Sequence, residues 1–340
     1  MVAAQPHKRA ESAMHCGAFC RWNVAPGGRS SDEPVETPAA SANIAGMDAL
    51  NPSATPTFAS RTPLHIGAIG LIARDLDRLT NYYRDLLGLT VLERNGRLVR
   101  LGVGGTPLIE IEHRPDARPD DPAQAGLYHT AFLMPTRQDH ARWIMHIARN
   151  QVPISGASDH GVSEAFYLDD PEGNGIEVYN DRPHQSWNWE NGLVNMPTKQ
   201  LDVEAILREI DPAKAIYPAA PEGLRIGHVH LRVGNIERAE EFYRGAVGLD
   251  LTRRRGGATF MSSGGYHHHV GANVWHSDGA GLRDGDRAGL AWFSMEAADK
   301  ATLDAATARL KEAQAPVNAI AGGIETADPF GTRVRFVTAA

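Results

Sequence analysis

The sequence predicts an α+β fold made of four βαβββ modules, and three observations lead there. The segment IGAIGLIARDLDRLTNYYRDLLGLTV, beginning at Ile66, returns without a gap as IGHVHLRVGNIERAEEFYRGAVGLDL from Ile226. A second unit, GLYHTAFLMPTRQDHARWIMHIARNQ from Gly126, returns as GLAWFSMEAADKATLDAATARLKEAQ from Gly289; these units run on to DPEGNGIEVY and DPFGTRVRFV. Each copy also changes period in the same order: apolar–polar alternation, then a helical apolar face, then alternation again between turn residues.

Taken in order, residues 1–60 are rich in Ala, Ser, Pro and Gly, show no period, and are expected to be a disordered extension. An N-terminal half, 61–182, carries modules at 64–115 and 126–182. In the first, an alternating strand leads into a helix containing Tyr82-Tyr83-Arg84, a turn at Gly88 and further strands. The second has the same order and an Asp-Pro-x-Gly turn before its last strand. Residues 183–223 link the halves; Trp187, Trp189 and a short helical pattern from Leu201 to Ile210 suggest a linker that packs. The C-terminal half, 224–340, repeats the scheme at 224–278 and 288–338.

Composition narrows the function classes. At 340 residues with 42% hydrophobic and 22% charged residues, the chain is an ordinary globular one of about two domains. A net charge of −7 speaks against a nucleic-acid surface. No apolar run approaches the roughly 18–20 residues that span a bilayer, so no membrane partner is expected. The two cysteines, Cys16 and Cys20, both fall in the N-terminal extension. A disulfide framework is therefore excluded for the folded part, and a cytoplasmic location is expected.

Strand alternation assigns faces. In IGHVHLRV, Val229, Leu231 and Val233 face the helix, whereas His228, His230 and Arg232 face the other way. Glu177 and Tyr179 share the inner face of GIEVY, and His129 and Ala131 that of LYHTAFLM. In HHHVGANVW, the same parity sends His267, His269, Asn273 and Trp275 inward, and His268 outward with Val270 and Ala272. A polar inner face needs partners, and two histidines with one carboxylate can bind a metal while leaving positions open, as in non-haem Fe(II) oxygenases.

Four such modules, with Gly-Leu after the first helix and DPEGNGIE before the last strand, resemble the vicinal oxygen chelate superfamily from residue 64 to 338. The strings GLYHTAFLMPTR, SDHGVSEAFYLDDPEGNGIEVYNDRP and GGYHHHVGANVW resemble the two-domain catechol 2,3-dioxygenases within it. The superfamily's first-strand ligand position falls on Ala68, His129, His228 and Trp292 in modules one to four; its last-strand carboxylate falls on Glu177 in module two and Arg335 in module four. Only modules two and three together hold two histidines and a carboxylate. The expected pairing is therefore two with three as a metal-binding cup, and one with four as a vestigial cup.

The resemblance implies Fe(II) as cofactor, Mn(II) being the alternative, held by His129, Glu177 and His228. It implies a catechol-type substrate and O₂ as partners, with His267 or His269, His160 and Tyr167 as catalytic groups. His230, Asn273 and Trp275 are expected on the substrate side, although His230 and Arg232 read equally well as a solvated edge. A homo-oligomer is compatible with the sequence. Hydroquinone cleavage, a glyoxalase-type lyase and a non-catalytic binder are the competing readings.

Overall fold

The computed structural model describes residues 56–338. The expected extension and both cysteines lie, up to residue 55, outside the described residues. Residues 56–60 correct the expected boundary: Ala59 begins a single 3₁₀ turn and is buried. Its apolar neighbour Phe58 packs on Trp187 and Tyr266, which gives these residues a partner to order against.

The first module comprises β1 (Leu64–Ala73), α1 (Leu76–Leu87), β2 (Thr90–Asn95), β3 (Leu98–Val103) and β4 (Thr106–His113). The second comprises β5 (Gly126–Leu133), α2 (Arg137–Arg149), β6 (Gly156–Asp159), β7 (Ser163–Asp169) and β8 (Gly175–Asp181). A short hairpin, β9 (Trp189–Glu190) with β10 (Leu193–Val194), and α3 (Val203–Leu207) fill the linker. The third module has β11 (Arg225–Arg232), α4 (Ile236–Glu240, continued by a π-helical stretch Glu241–Ala246), β12 (Asp250–Arg255), β13 (Ala258–Ser262) and β14 (Val270–Asn273). The fourth has β15 (Gly289–Ala297), α5 (Lys300–Glu312), β16 (Asn318–Ile320), β17 (Gly323–Ala327) and β18 (Arg333–Thr338).

Local chemistry starts each module's main helix in the same way. Asp75, Thr136, Asn235 and Asp299 each accept a hydrogen bond from the backbone N–H three residues on. An N-cap of this kind is worth about 1 kcal/mol. The Asp-Pro-x-Gly turns are built alike: Asp170 accepts from the backbone N–H of Glu172 and Asn174, and Asp328 from those of Phe330 and Thr332. Each aspartate is also reached by a helix tyrosine of the preceding module, Tyr83 and Tyr243, at 3.0 Å. The repeated Tyr-Arg motif is thus a tie between consecutive modules.

The sheets join modules across the two halves of the chain, not within them. One sheet runs β16-β17-β18-β15-β1-β4-β3-β2, the other β12-β13-β14-β11-β5-β8-β7-β6. Modules one and four therefore share a sheet, as do modules two and three, each pair meeting at a central antiparallel seam, β1 with β15 and β5 with β11. A large apolar core, including Tyr83, Phe132, Trp143, Phe293 and Phe336, backs both sheets. Each such buried side chain stabilises by roughly 1.5–3 kcal/mol.

Inside the one–four cup the ligand positions are filled. Trp292 is buried, and the Arg335 guanidinium lies 3.9 Å from its ring centroid. A methyl group on Gly70 would overlap the Trp292 indole, so glycine there makes the room. Arg335 also donates to Glu325 at 2.8 Å. This cup is packed with its own side chains.

Candidate metal centre

Strand register brings the three candidate ligands together. His228 on β11 pairs with Ala131 on β5, and Ala131 with Glu177 on β8, so the three occupy one row across the sheet. His129 lies two residues from Ala131 on the same face. The small Ala131 side chain at the middle of the row leaves the ligands space to converge. His129 Nε2 is 3.1 Å from Glu177 Oε2, His228 Nε2 is 3.3 Å from the same oxygen, and the two nitrogens are 3.4 Å apart.

Those separations fit a shared metal ion. Ligand bonds of about 2.1 Å place neighbouring donor atoms about 3.0 Å apart at a right angle and about 3.4 Å at a tetrahedral angle. Among the described residues this is the one cluster of three or more His, Cys, Asp or Glu side chains close enough to share an ion.

The protonation states suit that role. Burial would raise the Glu177 pKa, but His228 and His129 beside it hold the carboxyl well below its usual range. Burial lowers the His228 imidazole to about 4 despite the Glu177 charge, leaving it neutral at neutral pH. His230, two residues on, is likewise held neutral by burial and by the neighbouring imidazoles.

The remaining candidates divide. Tyr167 O–H donates to His160 Nε2 at 2.7 Å, and His160 Nδ1–H donates to the Pro197 carbonyl at 2.9 Å. Burial first, then the Glu177 charge, pushes the Tyr167 phenol well above its ordinary pKa, so it keeps its proton. Its ring lies 5.8 Å from that of His129. His230 accepts from Asn273 Nδ2 at 3.0 Å, and its ring is 5.0 Å from His129. Trp275 stands at the rim, 44% exposed, with its ring against Tyr128 and His230.

The histidine run corrects the parity reading. His268 lies over the site, its ring centroid 4.0 Å from that of His228. His267 turns to Asp181, 3.0 Å away, and His269 to Thr62 Oγ1 and the Ala59 carbonyl, both at 3.2 Å. The physical reason is that residues 267–269 form bends before β14 begins at Val270, so strand alternation does not extend back to them.

Several neighbours were given no place in the site by the sequence. Tyr128 and Phe260 pack against His230. From the linker, Trp187 packs on His267 and Tyr266, and Val194 and Met196 join the same buried cluster. Tyr179 was readable as inward from its parity with Glu177, but its partner Tyr266 was not.

The cup at the seam of modules two and three thus holds a candidate three-residue metal site. The Glyoxalase/Bleomycin resistance protein/Dioxygenase superfamily model matches residues 65–178 and 225–336, and the chain belongs to that family. The protein is 33% identical over 279 residues to catechol-2,3-dioxygenase of Bacillus subtilis (strain 168), covering 80% of this chain and 97% of the relative. It is 28% identical over 134 residues to biphenyl-2,3-diol 1,2-dioxygenase 3 of Rhodococcus globerulus, covering 36% of this chain and 67% of the relative. In fold it is similar to glyoxalase I of Zea mays, with a TM-score of 0.50, 17% identity and coverage of 83% of this chain and 94% of that one.

Proposed function

We propose that this protein is a non-haem Fe(II)-dependent extradiol dioxygenase that cleaves a catechol-type ring with O₂. The observation that carries the reading is the convergence of His129 Nε2, His228 Nε2 and Glu177 Oε2, 3.1–3.4 Å apart, at the base of one cup. Two neutral imidazoles and one carboxylate are the donor set of a facial triad with open positions. Similarity to a relative named catechol-2,3-dioxygenase over nearly its whole length supports the same class.

When bound, the iron supplies Lewis acidity and an electron path between substrate and O₂. The chain supplies the rest. His129, His228 and Glu177 orient the ion and offset part of its charge. Tyr167 retains its proton and gives it to His160 Nε2, which leaves the phenol oxygen to accept from a substrate hydroxyl. His268, buried and kept neutral by its surroundings, is a proton acceptor over the site, its ring centroid 4.0 Å from that of His228. His230 and Tyr128, with Trp275 at the rim, offer aromatic faces for an apolar ring.

Reconstitution with Fe(II) under anaerobic conditions, followed by catechol, methylcatechols or hydroquinones under air, tests the reading. O₂ uptake with a yellow ring-opened product from a catechol is the expected result. Uptake with hydroquinones alone moves the substrate class. A protein that binds one metal per chain yet consumes no O₂ with any diphenol overturns the dioxygenase reading in favour of a lyase.

A further inference from the structure

We propose that Asp181 is a positioning residue that fixes the tautomer of the metal ligand His228, acting through Tyr266 and Tyr179. The inference rests on His228 being a ligand, and hydrogen-bond directionality carries it. A carboxylate only accepts. Tyr266 O–H therefore donates to Asp181 Oδ1, 3.2 Å away. The Tyr266 oxygen is then free to accept from Tyr179 O–H at 2.7 Å. The Tyr179 oxygen in turn accepts from His228 Nδ1–H at 3.3 Å. With its proton held on Nδ1, His228 turns a bare Nε2 lone pair toward Glu177 and His129.

A second arm starts from the same carboxylate oxygen. His267 Nε2–H donates to Asp181 Oδ1 at 3.0 Å, which leaves His267 Nδ1 as an acceptor for His268 Nδ1–H at 2.7 Å. His268 Nε2 is thereby left without a proton, beside His228. One carboxylate on the strand that carries Glu177 thus orders both the ligand and the histidine above it. Tyr179, Tyr266 and His267 are fully buried, so water does not substitute in the chain. The backbone accommodates it as well: a methyl group on Gly227 would overlap the Tyr179 hydroxyl, so glycine beside His228 is what lets the phenol reach the imidazole. Partners of this kind typically change metal affinity 10–100-fold.

The test uses the full-length protein, Zn²⁺ as the probe, chelator competition for affinity and ¹⁵N NMR of the imidazoles for tautomer. Tyr179→Phe and Asp181→Ala, which each remove an acceptor from the chain, are expected to weaken Zn²⁺ binding about 10–100-fold and to convert His228 from a single Nδ1–H tautomer to a mixture. The metal-free variants should still unfold cooperatively, at a thermal midpoint lowered by the lost buried hydrogen bonds. Tyr266→Phe, which cuts the chain in the middle, should do the same and serves if either of the others fails to fold. Unchanged affinity in the folded variants overturns the proposal. Weaker binding with His228 still in the single Nδ1–H form overturns it too, since that reads as lost packing. A wild-type chain that binds no Zn²⁺ overturns this proposal and the metal reading together, whereas normal wild-type binding with unaffected variants overturns this proposal alone.

Discussion

His140 should make the fold acid-sensitive in a measurable way. It lies on α2, fully buried, stacked on Trp143 and edge-on to Phe166. Its Nδ1–H donates to Asn180 Oδ1 at 2.6 Å, which ties α2 to the strand that carries Glu177, while its Nε2 has no partner. Burial, only partly offset by the Asn180 hydrogen bond and the Glu164 charge, lowers its pKa from 6.5 to about 4. Protonation would place a charge in this apolar site, which burial penalises more than the Asn180 hydrogen bond, the Glu164 charge and the Val178 carbonyl offset. The folded pKa lies below the unfolded one, so the unfolded chain binds more protons as pH falls. Stability attributable to His140 is complete above pH 6.5 and is lost progressively between 6.5 and about 4. At about 1.36 kcal/mol per unit, the full loss is on the order of 3 kcal/mol, of which about 2 kcal/mol has gone by about pH 5. His140→Gln keeps an amide donor for Asn180 and does not titrate. Urea unfolding of both metal-free proteins at about pH 7.5 and pH 5 should show the variant gaining about 2 kcal/mol on wild type over that interval. Histidines common to both proteins cancel in this difference. A gap that stays constant with pH would refute the argument.

Other outcomes follow from the two cups and the histidine run. Trp292→Ala should cost about 3–5 kcal/mol in denaturant unfolding, by emptying the one–four cup, and leave Zn²⁺ affinity unchanged. Ala131→Leu should put a branched side chain among the three ligand atoms; loss of stoichiometric metal in a chain with an unaltered circular dichroism spectrum is expected. His268→Gln should lower kcat about 10²–10⁴-fold with little change in metal affinity. His269→Gln should instead cost about 1–3 kcal/mol of stability, through Thr62 and the Ala59 carbonyl, and leave kcat near wild type. Similar kcat losses for both substitutions would mean that the bend before β14 is placed differently.

Much of the site was legible because its information is local. Alternation within single strands put His129, Glu177 and His228 on inner faces, and laying the superfamily's ligand positions over the repeats indicated which modules lacked a ligand. The order of the sheets then followed from requiring a complete donor set. Where the chain leaves regular strand, that logic stops: His267, His268 and His269 precede β14, and their directions depend on Asp181, Thr62 and the residue 58–62 segment. Nothing in the sequence marks His140 as buried, since periodicity does not reveal that Trp143, Phe166 and Asn180 close over it.

The sequence by itself determined the four modules and their turns, because period and repeat are properties of neighbouring residues; the candidate ligands came from the superfamily resemblance laid over those repeats. Only the tertiary structure decided which histidine lies over His228, how Trp187 and the linker cover the cup, and that Asp181 reaches His228 through two tyrosines. Those relations join groups 49, 85 and 86 positions apart in the chain, and they exist only once the β5–β11 seam has formed.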